Sequence, residues 1–252
     1  MDQARPVTAL QNYLAALPRR EFDFLDFGCS TGGSIDMAKK LFRASRGLGI
    51  DNSPKKVEGA RAQGYDAMLY DIADLPGKVC VRFCVMSHFL EHVASRNDVA
   101  AYIRKACALS REFVFIQQPY FDADGYLFHR GLKLFWSDWR GHPNCMTTLM
   151  FHNLLAPMRA EGKIGDFSIH FHHPITSSKD PAVHSVRSAR DQFEYDAAIH
   201  PPKPMDDKFD FPVFRETVVW ITKPGIVHET PFHRVRSDCT LYSSVDSARQ
   251  VA

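Results

Sequence analysis

Residues 21–35 read EFDFLDFGCSTGGSI, and the fold follows from how this stretch changes character along its length. Phe22, Phe24, Leu25 and Phe27 make an aromatic-rich apolar run carrying Asp23 and Asp26. Glycines at 28, 32 and 33 break the run, and Ile35, Met37, Ala38, Leu41 and Phe42 follow at helical spacing. Strand, glycine turn, helix is the order by which an open α/β sheet presents backbone at the carboxyl end of a strand, where such sheets bind ligands.

The flanking sequence repeats the alternation. A second strand at 47–50 closes on Asp51, and Asn52-Ser53-Pro54 opens a basic helix over 55–63. A weaker strand at 66–69 leads into Tyr70-Asp71-Ile72. The run 80–86 is apolar except for Arg82, as a central parallel strand should be. A helix near 98–108 aligns Val99, Tyr102, Ile103 and Ala106, and a fifth strand at 113–118 stops at Pro119. Short connections between alternating strands and helices imply a parallel sheet with right-handed crossovers.

Outside this block the pattern is different. Leu10, Tyr13, Leu14 and Leu17 predict an amphipathic helix within residues 1–20. After Pro119 the alternation stops. Residues 120–144 hold Tyr126, Phe128, Phe135, Trp136 and Trp139 among Gly, Asp and His, and a helix is expected over 146–158. Strands are expected at 163–171 and 213–221, with a proline-rich excursion between them containing one short helix at 185–195. Segments 120–160 and 172–212 exceed ordinary connections and are read as caps over the substrate side of a single domain. Residues 223–252 read as a polar tail.

Bulk composition narrows the class. The 252 residues carry a net charge of +2 with no Lys/Arg cluster, which argues against a nucleic-acid partner. Six cysteines form no C-x-x-C pair, as expected of free thiols in a reducing compartment. No apolar run approaches a signal peptide or a membrane span, so the expectation is a cytoplasmic protein with no membrane partner; a homodimer is compatible with the sequence.

Asp26-x-Gly28-Cys29-Ser30-Thr31-Gly32, Asp51 closing the next strand, Asp71 after the third and Leu90-Glu91-His92-Val93 after the fourth together resemble the class I S-adenosylmethionine-dependent methyltransferases, most nearly the type 11 group. The resemblance covers residues 21–119. It implies a Rossmann-like, mostly parallel seven-stranded sheet of order 3-2-1-4-5-7-6 with helices on both faces. It also implies S-adenosylmethionine as cofactor. The first loop (Asp26, Gly28, Cys29, Ser30, Gly32) would hold its methionine part. Asp51 would bond the ribose beside Asn52, and Asp71 the adenine beside Ile72. Ser87 and His88 would lie next to the transferred methyl. Ser30 departs from the family's second glycine, and the dinucleotide fingerprint G-x-G-x-x-G is absent, which weighs against a pyrophosphate ligand.

The acceptor side is less determined. His88 and His142 are the candidate general bases, with His129, His170 and His172 behind them, because imidazole titrates near neutrality. Trp136, Trp139, Arg140 and His142 in the segment 134–148 offer stacking faces, a cation and a titrating group to a substrate. The expected acceptor is an oxygen of a small molecule or saccharide. A non-catalytic cofactor-binding or scaffold protein on the same fold is the alternative. His88-x-x-Glu91-His92 also matches the inverted zinc-peptidase pattern. That pattern requires a stable helix and a third ligand, and the position directly after a buried strand speaks against it, so no metal is expected.

Overall fold

The computed structural model describes residues 22–75, 81–226 and 238–245. Five parallel strands form the core of one sheet: β1 (Phe24–Phe27), β2 (Gly47–Asp51), β3 (Ala67–Leu69), β4 (Val81–Ser87) and β5 (Ser110–Pro119). All but the edge strand β3 are mostly buried, so the alternating side chains of β4 and β5 feed two cores at once. In β4, Phe83 and Val85 face one side while Cys84 and Met86 face the other; in β5, Phe113 and Phe115 part likewise from Val114 and Ile116.

Helices cover both faces. On one lie α1 (Gly33–Phe42) and α2 (Pro54–Ala62), burying Ile35, Ala38, Phe42, Val57 and Ala60. On the other lie α3 (Arg96–Leu109) and, beyond the short α4 (Asp124–His129), α5 (Thr148–Ala160). Ser95 caps α3 by accepting the Asp98 N–H at 3.1 Å, which satisfies one of its orphan donors.

After β6 (Leu132–Leu134), the sheet continues antiparallel through β7 (Phe167–Pro174), paired with β9 (Phe214–Thr222), which pairs in turn with β5. The order from the other edge is β3-β2-β1-β4-β5-β9-β7-β10. This is the expected 3-2-1-4-5-7-6 arrangement carrying one more strand. The eighth, β10 (Cys239–Ser243), pairs antiparallel with β7 and corrects the reading of residues 223–252 as a polar tail throughout. Its alternation is hard to see because it is an edge strand with a bulge between Thr240 and Tyr242.

The excursion between β7 and β9 contains β8 (Val183–Ser185), which pairs antiparallel with β6. Extended chain and turns occupy 185–195 where a helix was expected. This excursion and residues 120–136 share a third core around Tyr120, Phe121, Leu134, Trp136, Phe171 and Phe214. Arg130 joins them through Asp207 at 2.7 Å and Asp210 at 2.9 Å, and Arg215 bonds Asp180 at 2.7 Å. The helix expected within residues 1–20 lies outside the described residues. Among the described residues no helix is long and apolar enough to cross a membrane, and Cys29, Cys107, Cys145 and Cys239 are free thiols.

Phe42 is the keystone of one face: its ring makes edge contacts with Phe83, Phe113, Phe115 and Trp220 at 5.1–5.5 Å. Phe42→Ala is expected to lower the unfolding free energy by about 3–5 kcal/mol in urea titrations. A loss below 1 kcal/mol would mean the cluster collapses around the gap and does not hold the face.

Candidate functional site

The loop between β1 and α1 is tied to β2. The N–H groups of Gly28 and Cys29 donate to the Ile50 carbonyl at 2.8 and 3.2 Å. The Asp51 carboxylate accepts from Ser30 N–H at 3.0 Å and from Ser53 N–H at 2.9 Å. Alternate residues are left-handed: Gly28 at φ +75°, Ser30 at φ +48° and Gly32 at φ +102°. A Cβ on Gly28 would lie 2.3 Å from the Phe89 ring, and one on Gly32 would lie 2.2 Å from the Tyr65 ring. Each glycine therefore makes room for an aromatic side chain.

A cavity of about 610 Å³ opens at this loop, within the range of ligand pockets. Gly28, Cys29, Ser30, Asp51, Asn52, Asp71, Ile72, Ser87 and His88 line it, from segments that follow four strands. Asp26 and Gly32 do not line it. Asp71 combines two roles, lining the cavity and capping the turn Ile72–Asp74 by accepting Ala73 N–H at 2.9 Å. Lys56, Tyr70, Asp98 and Tyr102 line the cavity as well, without having been expected there. Tyr102 sits on the inner face of α3 with its ring 5.6 Å from Phe89, a placement that periodicity alone shows only as apolar.

Asp26 lies beneath the cavity. It is fully buried, one oxygen accepts the Ser34 hydroxyl, and Oδ1 has no partner. Burial, with the nearby Asp51 charge in support, raises its pKa to about 7.

At the end of β4, His88 stands at φ +49° between two carboxylates, Nδ1 3.5 Å from Glu91 and Nε2 3.3 Å from Glu216. Burial disfavours its charge, but the carboxylates of Glu216 and Glu91 outweigh this and lift the pKa to about 9. At neutral pH His88 is an imidazolium and has no lone pair with which to take a proton. Glu216 comes from β9, 128 positions away, and no local motif signals it.

The aromatic loop is largely engaged with other parts of the protein. Trp136 is buried in the third core, its Nε1 donating to the Tyr120 carbonyl at 2.9 Å. Trp139 packs on Phe193, with ring centroids 4.9 Å apart. Arg140 is paired with Asp191 through its guanidinium and its backbone N–H. His142 is half-buried, which lowers its pKa, and its ring lies 4.9 Å from His92 on the cavity wall. His170 is held by Thr240 and Ser168. Neither it nor His172 or His129 lines the cavity.

The sequence matches no protein-family model and no curated protein. Its three-dimensional structure does have counterparts. A SAM-dependent methyltransferase from Archaeoglobus fulgidus superposes with a TM-score of 0.54 at 13% identity, over 86% of this chain and 92% of that one. The YcgJ protein from Bacillus subtilis gives 0.51 at 13% identity, over 86% and 97%. The chain has the Rossmann-like fold of the SAM-dependent methyltransferases.

Asp26 carries a pH signature. Its folded pKa, about 7, lies above the ordinary 3.8, so the folded protein binds this proton more tightly than the unfolded chain. The resulting stabilisation is full below about pH 4 and is lost as pH rises through about 7. Wild-type stability relative to Asp26→Asn should therefore fall between those limits and level off above, measured by urea midpoints across the range. A difference that stays constant would show that Asp26 ionises normally.

Proposed function

We propose that this chain transfers a methyl group from S-adenosylmethionine to an oxygen of a small-molecule or saccharide acceptor. The observation that carries the reading is the convergence of Asp51, Asp71 and the Gly28–Ser30 backbone on one cavity. Asp51 keeps unused lone pairs on both oxygens, so it can accept two ribose hydroxyls while still holding Ser30 and Ser53. Asp71 and buried Ile72 suit an adenine edge and face.

Charge favours the same ligand. Asp51, Asp71 and Asp98 outnumber Lys56 and the His88 imidazolium on the wall, and Asp26, its pKa raised to about 7, lies below it only partly charged. Such a wall attracts the ammonium and sulfonium of the methyl donor and repels a diphosphate. When bound, the cofactor supplies an electrophilic methyl group. The chain's own part is positioning: His88, braced by Glu91 and Glu216, fixes the Ser87–Phe89 wall. His92 lines the cavity and meets buried Glu91 and, from the segment 120–160, His142. The shared fold is consistent with this chemistry, and the named residues carry the reading.

Calorimetry with S-adenosylhomocysteine is expected to show one site per chain, and NAD to show none. Asp51→Ala should weaken that binding at least 100-fold, since charge-assisted hydrogen bonds contribute about 1.5–3 kcal/mol each. Asp71→Ala, at an exposed position, should weaken it about tenfold. Binding of NAD together with indifference to the homocysteine product would overturn the assignment.

A further inference from the structure

Three side chains with metal-ligating chemistry meet where the turn after β4 touches the loop after β6. One oxygen of Glu91 and one ring nitrogen each of His92 and His142 lie within 4.8 Å of one another. We propose that these residues bind a divalent transition-metal ion, zinc by ligand type, at the rim of the cavity.

Three observations point there independently of the cofactor. First, His92 Nδ1 lies 2.7 Å from the Gly141 carbonyl and His142 Nδ1 lies 3.0 Å from the Trp136 carbonyl. A carbonyl can only accept, so Nδ1 carries the proton in both rings and each Nε2 keeps its lone pair. That is the tautomer and backbone support that metal-bound histidines use. Second, Glu91 is 1% exposed and its Oε2 has no hydrogen-bond partner. A buried carboxylate oxygen without a partner is costly, and a cation in front of it removes the cost. Third, His92 lines the cavity, so an ion held by three protein ligands would turn an open coordination position toward the cofactor site. Ligand atoms on a tetrahedral ion stand roughly 3.3 Å apart, given metal–nitrogen bonds near 2.0 Å. Binding would draw in His92, which is exposed, and His142, which is half-buried.

The geometry also disposes of the inverted-peptidase pattern. The turn Leu90–His92 is a single 3-10 turn, and left-handed His88 is engaged by Glu216. Glu91 and His92 instead take their third partner from the cap side. The assignment makes His142 a ligand in place of a base.

One consequence rests on the methyl-transfer reading: the open position receives the acceptor hydroxyl. The ion lowers that hydroxyl's pKa and its proton leaves to water. The freed oxygen then forms the O–CH3 bond as the S–CH3 bond breaks, and the donor departs as neutral thioether.

The test uses the full chain, stripped with chelator and dialysed against Zn²⁺, with metal content read by plasma emission and Co²⁺ substitution followed by visible absorption. One ion per chain is expected, with at least about 100-fold weaker retention in Glu91→Gln and in His92→Ala. No retained ion, or retention unchanged in both variants, overturns the site. S-adenosylhomocysteine calorimetry on the stripped protein separates the two claims. Product binding without zinc binding removes the metal site alone, whereas zinc binding without product binding supports the site and removes the methyl-transfer reading.

Discussion

The loop between β1 and α1 depends on one carboxylate. Asp51 ends β2 and accepts backbone N–H groups from two different segments, Ser30 in the first loop and Ser53 at the start of α2. Holding a serine at φ +48° costs about 1–2 kcal/mol, and a hydrogen bond to a charged acceptor contributes about 1.5–3. The bond therefore covers the strain at Ser30. It also explains how the loop keeps a left-handed residue where a glycine would be conformationally easier. Burial raises the pKa of Asp26, and the Asp51 charge adds to that rise, so the residue that holds the loop also disfavours charge beneath it.

A second set of contacts ties the cap to the sheet. His88 joins the turn after β4 to β9 through Glu216, and the same turn is clasped from the cap side. His92 bonds the Gly141 carbonyl, and Asn144 N–H donates to the Glu91 carbonyl at 3.3 Å. The His142 ring is anchored in turn to Trp136, which belongs to the third core. Aromatic residues at 134–142 thus act mainly through packing, setting the loop's path and delivering His142 to the turn.

Most of the sheet was legible because buried parallel strands announce themselves as apolar runs, and short connections leave one hand and few orders. The eighth strand was not, since Cys239-Thr240-Leu241-Tyr242-Ser243 is half-exposed, mixed in polarity and bulged. Asp51 and Asp71 could be read from their places at strand ends. Glu216, Tyr102 and Lys56 could not, because each reaches the site only through tertiary packing. The sequence shows that Trp136 and Arg140 have suitable chemistry, but not that a backbone carbonyl and Asp191 have already claimed it.

The cap's two halves are locked to each other more strongly than their distance in sequence suggests. Lys133 donates across them to the Ser188 carbonyl at 2.7 Å, while buried Lys203 braces the second half internally by donating to the carbonyls of Asp180 and Val183. With β6 paired to β8 and Arg130 bound to Asp207, residues 120–147 and 175–213 share one small sheet and one core. A shift of that body would carry the 136–144 loop with it, and hence the positions of Gly141, His142 and Asn144 against the turn at 90–92. Glu91 faces both sides of this contact, bonded to His88 on the sheet side and near His142 on the cap side. The path of the 136–144 loop beside the cavity is therefore set by packing among residues 120–147 and 175–213 as much as by the residues that line the cavity.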